Sequence, residues 1–151
     1  GHLYSKAKEL GCNKIALGHH FDDVIETVLM GMLFAGKMQT MMPKLKSTSH
    51  PGMELIRPFY FVREDDVISW MNYNDLEFIK CACKITERQA KRSLEGRKTS
   101  KRAETKELIK MLREKYENSD INIFNSTKNV NLDTILSYKK DGEIVNFMDE
   151  Y

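Results

Sequence analysis

The run from Leu17 to Thr27, Leu-Gly-His-His-Phe-Asp-Asp-Val-Ile-Glu-Thr, sets a pair of imidazoles beside two adjacent carboxylates and adds a third carboxylate one helical turn later. At the mouth of a helix, directly after a strand, this is a set of groups suited to a nucleotide, because the ligand crevice of an open parallel sheet lies at the carboxyl ends of its strands. Two elements must deliver it. Asn13 to Leu17 is a short apolar run bounded by Gly11 and Gly18, and from Asp22 onward apolar residues recur at Val24, Ile25, Val28, Leu29, Met32 and Leu33. A spacing near two gives way to one near 3.6, strand to helix. Gly18 to Glu26 would then line the crevice.

Helix capping explains part of the run with no ligand at all. Asp22 or Asp23 can accept from the free N–H groups of the first turn, and Glu26 falls one turn further. That accounts for one aspartate and the glutamate and leaves His19, His20 and the second aspartate over. Arg57 and Arg63 are further candidates, since a guanidinium fork suits phosphate and each follows a strand or opens a helix. The alternative for both is a surface pair with Glu54, Glu64 or Asp65. Lys37 and Lys44 either touch RNA or are solvated, and His50 beside Pro51 reads as a loop residue without a partner.

The remaining elements follow from the same patterns. Leu3, Tyr4, Ala7 and Leu10 give a short amphipathic helix over residues 2–10, stopped by Gly11. Gly36 to Gly52 reads as an irregular connection. Leu55 to Tyr60 reads as the next strand, with Pro58 near its end. Glu64 or Asp65 to Asn72 forms a helix with an acidic first turn and with Val67, Ile68 and Met71 turned inward, Trp70 being core or rim. Thr86 to about Tyr116 is helical in composition, with Gly96 a break and Leu108, Ile109, Met111 and Leu112 the buried stripe. Ile121 to Phe124 is a short apolar stretch, Asn131 caps Leu132 to Tyr138, and Asp141-Gly142 makes a turn before a ragged tail.

Composition fits one polar globular domain: 151 residues, 41% apolar, mean hydropathy −0.51. No segment reads as a membrane span, because Glu26, Thr27 and two glycines interrupt the most apolar stretch. Three cysteines leave one over from any disulfide pairing, which favours a reducing compartment and a cytoplasmic location. Cys12 reads as a small buried hydrophobe. Cys81 and Cys83 differ, because Lys80 and Lys84 beside them favour the thiolate that ligates metal or attacks sulfur. Two thiolates alone fall short of an iron–sulfur or zinc site. The net charge of +2 hides a segregation: Lys84 to Lys115 holds 12 Lys or Arg against 5 Glu. Such a segment can neutralise phosphates of a nucleic acid, or can be a solvated face laced with pairs such as Glu87–Lys91.

Gly18 to Thr27 resembles the second conserved motif of the PP-loop ATP pyrophosphatases that modify tRNA, specifically the tRNA 2-thiocytidine synthetase (TtcA) branch. Further landmarks follow in the same order: Gly36-Lys37, Met42-Pro43-Lys44-Leu45, Ile56-Arg57-Pro58, Val62-Arg63-Glu64, Cys81 and Cys83, the basic helix to Lys115, and Phe124 with Asn129-Val130. The family's Ser-Gly-Gly-x-Asp-Ser pyrophosphate loop and its upstream Cys-x-x-Cys do not occur in these 151 residues. The resemblance therefore implies the C-terminal portion of such an enzyme, a truncated or proteolysed piece or one product of a split gene, inactive alone.

The fold implied is a partial Rossmann-like α/β sheet of the adenine nucleotide alpha hydrolase kind, with flanking helices and a basic C-terminal helical segment. Residues 1–80 would be the end of the PP-loop ATPase domain and 81–151 a cysteine-containing basic region. The implied reaction is ATP-dependent adenylation of a cytidine C2 oxygen in the tRNA anticodon loop, followed by sulfur transfer that displaces AMP. Asp22 and Asp23 would hold Mg²⁺, His19 or His20 would bond phosphate, Glu26 would orient that shell, and Gly18 would let the backbone approach the nucleotide. Arg57 and Arg63 would serve the phosphates. Cys81 or Cys83 would ligate a 4Fe-4S cluster completed by cysteines from outside this chain, the Cys-x-Cys spacing departing from the family's Cys-x-x-Cys. Implied partners are tRNA and a sulfur donor protein. An apolar sheet edge left bare would favour a homo-oligomer. Two alternatives remain: another PP-loop tRNA-modifying enzyme such as a lysidine synthetase, or a noncatalytic RNA-binding module.

Overall fold

The structure, a computed structural model, describes residues 1–77 and 100–150. Cys81, Cys83, the helix expected from Thr86 with its break at Gly96, and the boundary at residue 80 lie outside the described residues. Helix α1 (His2–Glu9) leads through Gly11, whose φ of 72° no β-carbon favours, into strand β1 (Lys14–Ala16). Helix α2 (Phe21–Ala35) follows and ends at Gly36 in the left-handed conformation, whose N–H returns to the Gly31 carbonyl. Strands β2 (Lys44–Lys46) and β3 (Glu54–Ile56) complete a sheet of order β1-β3-β2, with β3 parallel to β1 and antiparallel to β2.

The sheet is α/β as expected, and two of its details differ from the sequence reading. The 36–52 connection contains a strand, because Leu45 pairs opposite Leu55 and Glu54 on the middle strand holds Lys14 (2.9 Å) and Lys44 (3.1 Å) on its two neighbours. β3 also stops at Ile56 instead of running to Tyr60. Beyond it Arg57 to Val62 turns sharply, Tyr60 donating N–H to the Arg57 carbonyl and Val62 to that of Phe59. The turn delivers α3 (Glu64–Tyr73) to the carboxyl end of β1, where Phe21 N–H donates to the Val62 carbonyl at 2.8 Å.

The core is built on α2. Val24, Ile25 and Val28 are fully buried, and Phe21 and Ile25 join Tyr60, Ile109 and Phe124 in one cluster. Two helices supply its far side: α4 (Lys101–Lys115), capped by the Ser100 hydroxyl, and α5 (Ser119–Ser126), which follows Asn118 at a φ of 58°. Phe124 meets Phe21 edge-on, with ring centroids 5.2 Å apart. The apolar stretch Ile121 to Phe124 is thus part of a helix, recognisable only by its packing. On α2 the inward stripe ends earlier than the periodicity suggests, Met32 and Leu33 being exposed. On α4 Met111 is exposed and Thr105 is buried in its place, its hydroxyl donating to the Lys101 carbonyl at 2.8 Å. No residue of α3 is buried: Ile68 and Trp70 face outward, and among the described residues no element covers that side. Cys12 is exposed, not buried: it sits in the turn that closes α1, its N–H donating to the Ala7 carbonyl at 2.9 Å. His50 does have partners, the Tyr4 ring stacked on it at 4.9 Å and the Ser49 hydroxyl at 3.0 Å.

Past Lys128 the single helix expected after Asn131 shrinks to one 3-10 turn (Leu132–Thr134), with Asn131 accepting from Asp133 N–H. The expected ragged tail is a hairpin of β4 (Ser137–Lys140) and β5 (Glu143–Asn146). Asp141 and Gly142 both take positive φ, 52° and 92°, the twist that a two-residue hairpin loop demands. Among the described residues no helix is long and apolar enough to cross a membrane.

Candidate nucleotide site

The carboxyl end of β1, the first turn of α2 and the first turn of α4 enclose an open cleft of about 680 Å³. His19, His20, Asp23, Glu26 and Met30 form one wall; Ser100, Lys101, Arg102, Ala103 and Lys106 form the other, with Glu64 between. The strand-to-helix turn expected from Gly18 onward is what creates the first wall. Gly18 itself is not part of the cleft lining, and a β-carbon on it would meet nothing within 4 Å.

Neither aspartate is the cap residue. His20 takes that place in extended conformation, and Asp23 accepts its backbone N–H at 3.0 Å, the glutamate-like half of a capping box. The other Asp23 oxygen pairs with Arg102. Arg102 Nε also lies 2.7 Å from Glu26 Oε2, a close ion pair without the alignment of a hydrogen bond. Glu26 is 4% exposed, and burial pushes its carboxyl above the usual range, Asp23 adding to the rise and Arg102 and Lys106 opposing it. Lys106 closes the rim with a 2.6 Å pair to Glu64, which holds its ammonium above the ordinary value. His19 Nδ1 is buried with no hydrogen-bond partner in the protein, while the His20 ring lies between two carboxylates, Nδ1 3.8 Å from Asp22 and Nε2 3.4 Å from Asp23.

Asp22 faces elsewhere. It accepts from Glu64 N–H at 2.7 Å and from the Arg113 guanidinium, which together outweigh burial and hold its carboxyl below the usual range. Residues i and i+1 of a helix do not share a face. Asp22 and Asp23 accordingly pair with different guanidinium groups, Arg113 and Arg102, although one oxygen of each also lies within 4 Å of the His20 ring, 3.8 Å from Nδ1 and 3.4 Å from Nε2. Among the described residues no group of three or more His, Cys, Asp or Glu side chains forms a metal site.

The two arginines expected to serve phosphate lie outside the cleft lining. Arg63 pairs with Asp120, beneath which Phe21 offers its ring face at 5.3 Å, and Arg57 donates to the Met42 carbonyl. The site groups that sequence reading missed are Arg102 and Lys106. They stand one turn apart, and with Ile109 and Arg113 they continue a single helical stripe at i, i+4, i+7 and i+11. That spacing was the available signal, obscured by the surrounding basic residues. A second hollow of about 490 Å³ under the C-terminal hairpin carries one carboxylate, Asp133, and no basic group to offset the charge of a phosphate.

A mixed sheet whose first strand feeds a polar helix mouth beneath a converging basic helix makes this an α/β protein with its candidate ligand cleft at the carboxyl end of a strand. The sequence matches the model of the PP-loop domain over residues 2–95, and the chain belongs to that family. Similar proteins include a tRNA-cytidine(32) 2-sulfurtransferase of Paracidovorax citrulli, 33% identical over 97% of this chain and 43% of the relative. The protein of that name from Syntrophotalea carbinolica is 46% identical over 55% of this chain and 32% of its own length. The chain thus spans less than half the length of these relatives. The fold resembles the U34-tRNA thiolase NcsA from Methanococcus maripaludis with its 4Fe-4S cluster, at a TM-score of 0.60 and 22% identity, over 89% of this chain and 43% of that one.

Proposed function

We propose that this chain supplies one wall of the ATP site of a tRNA-thiolating enzyme, which adenylates a cytidine C2 oxygen in the anticodon loop and then exchanges AMP for sulfur. The observation that supports the reading is a cleft of about 680 Å³ at the carboxyl end of β1, with His19 and His20 on one wall and Arg102 and Lys106 on the other. In the reaction the poor leaving oxygen becomes a good leaving phosphate, a task of positioning and charge stabilisation more than of strong base. His19 and His20 bond phosphate oxygens, Arg102 and Lys106 offset their charge, and Gly18 admits the backbone to the nucleotide. Asp23 and Glu26 hold Arg102 in place until the nucleotide arrives. The names of the relatives support cytidine in tRNA as substrate. The sequence holds no Ser-Gly-Gly-x-Asp-Ser loop, so the pyrophosphate grip comes from a segment other than these 151 residues, and the chain alone is inactive.

Exposed Lys101, Lys110 and Lys115 on α4 are the proposed contacts to tRNA, and the sulfur reaches the site from a donor protein. A 4Fe-4S cluster belongs to the same reading through Cys81 or Cys83. The one cysteine among the described residues, Cys12, stands exposed before β1. The test is tRNA 2-thiocytidine measured by mass spectrometry after reaction of the assembled enzyme with ATP and a sulfur donor. Arg102→Ala should lower the product at least about tenfold, the loss of one charge-assisted contact to the reacting phosphates. Undiminished product would remove Arg102 and its cleft from the reaction.

A further inference from the structure

Asp22 belongs to a closed ring of charged groups. One of its oxygens accepts from Arg113, whose Nε donates to Asp120 at 2.7 Å. Asp120 accepts also from Arg63, and Glu64, the next residue, donates its N–H at 2.7 Å to the other oxygen of Asp22. Both carboxylates are buried, Asp22 at 6% and Asp120 at 3% exposure. The ring ties together the first turns of α2, α3 and α5 through the last turns of α4. Arg113 can close it because a guanidinium presents different nitrogens to two carboxylates at once, which a lysine ammonium at the end of a flexible stem does not. None of Asp22, Arg63, Arg113 or Asp120 lines the cleft.

We infer that Asp22, Arg113 and Asp120 are positioning residues: the ring fixes the first turn of α2 so that His19, His20 and Asp23 face the cleft, and Asp22 binds no metal. A cation at Asp22 would have to displace Arg113 and leave a half-buried guanidinium short of a partner, which is costly. The inference rests on the proposed function only in naming the cleft a nucleotide site; the ring can be tested without nucleotide.

The experiment is amide hydrogen exchange by NMR on the chain and on Asp22→Asn, Arg113→Gln, Arg113→Lys and the Asp22→Asn/Arg113→Gln pair. Expected is exchange about tenfold faster at Phe21 and Glu64 in each variant, as befits one charge-assisted hydrogen bond. The pair should be no faster than Arg113→Gln alone, since both changes open one ring. The His20 ring resonances should move in the Arg113 variants although Arg113 does not touch that ring. Ile25 should keep its protection, which shows the fold retained; Asp22→Asn, nearly isosteric, serves if an Arg113 variant loses it. Millimolar Mg²⁺ should leave the Asp22 carboxylate resonance of the wild-type chain in place. Wild-type exchange at Phe21 and Glu64 in the variants, or a Mg²⁺-induced shift at Asp22 that Asp22→Asn abolishes, would overturn the inference. Absence of ATP binding with the exchange results intact would count against the nucleotide reading alone.

Discussion

Asp120 shows what a buried carboxylate needs in order to stay charged. Burial alone would raise its pKa, yet hydrogen bonds from Arg63, Arg113 and the Ile121 N–H hold it down to about 2 from an ordinary 3.8. A depressed carboxyl contributes stability that is complete above its unfolded value and lost as pH falls through its folded one. The fall should therefore lie between about pH 4 and pH 2 and amount to about 2 kcal/mol, at 1.36 kcal/mol per unit. Asp120→Asn should lower the unfolding free energy by about that amount at pH 7 and flatten the acid limb, both read from urea titrations at several pH values. At this scale the sequence was legible in types and not in partners. Asp22 and Arg63 were expected to serve a ligand, but their counter-charges here, Arg113 and Asp120, come from 91 and 57 positions away, a distance that no local spacing encodes. The same distance explains why Glu54, Glu64 and Asp65 were the wrong candidates for Arg63.

Among the elements, α2 carries both the core and one wall of the cleft, and its end is set by a close approach. A β-carbon at Gly31 would lie 2.7 Å from the Lys37 carbonyl oxygen, a backbone atom with little room to retreat. That carbonyl belongs to the residue whose N–H donates to Gly31 at 2.9 Å, so the helix end and the following loop are locked together. Gly31→Ala should cost about 1–3 kcal/mol, the usual penalty for overpacking, despite alanine's better helix propensity. A melting temperature equal to or above the wild type would show that the loop gives way freely. Helix and strand identities were readable wherever period and punctuation agreed, as in β1, α2 and the start of α3. They were not readable in β2 or α5, where a few apolar residues gain their meaning from the neighbour they meet: Leu45 from Leu55, and Phe124 from Phe21.

For the molecule as a whole, the charge segregation divides into two uses along α4. Arg102, Lys106 and Arg113 turn toward acidic partners in the body, while Lys101, Lys110 and Lys115 stay exposed and are the proposed contacts to tRNA. Replacing Lys101 and Lys110 by Ala should reduce the slope of log K for tRNA against log salt by about 2, one for each phosphate no longer neutralised, as read by filter binding from low to moderate salt. An unchanged slope would place the RNA elsewhere. The central claim is that the cleft at the carboxyl end of β1 receives ATP. Photolabelling with 8-azido-ATP followed by peptide mapping tests it most directly. Label is expected within residues 18–30 or 100–106, competed by unlabelled ATP and weakened by Arg102→Ala; competable label confined to peptides outside both segments would contradict it.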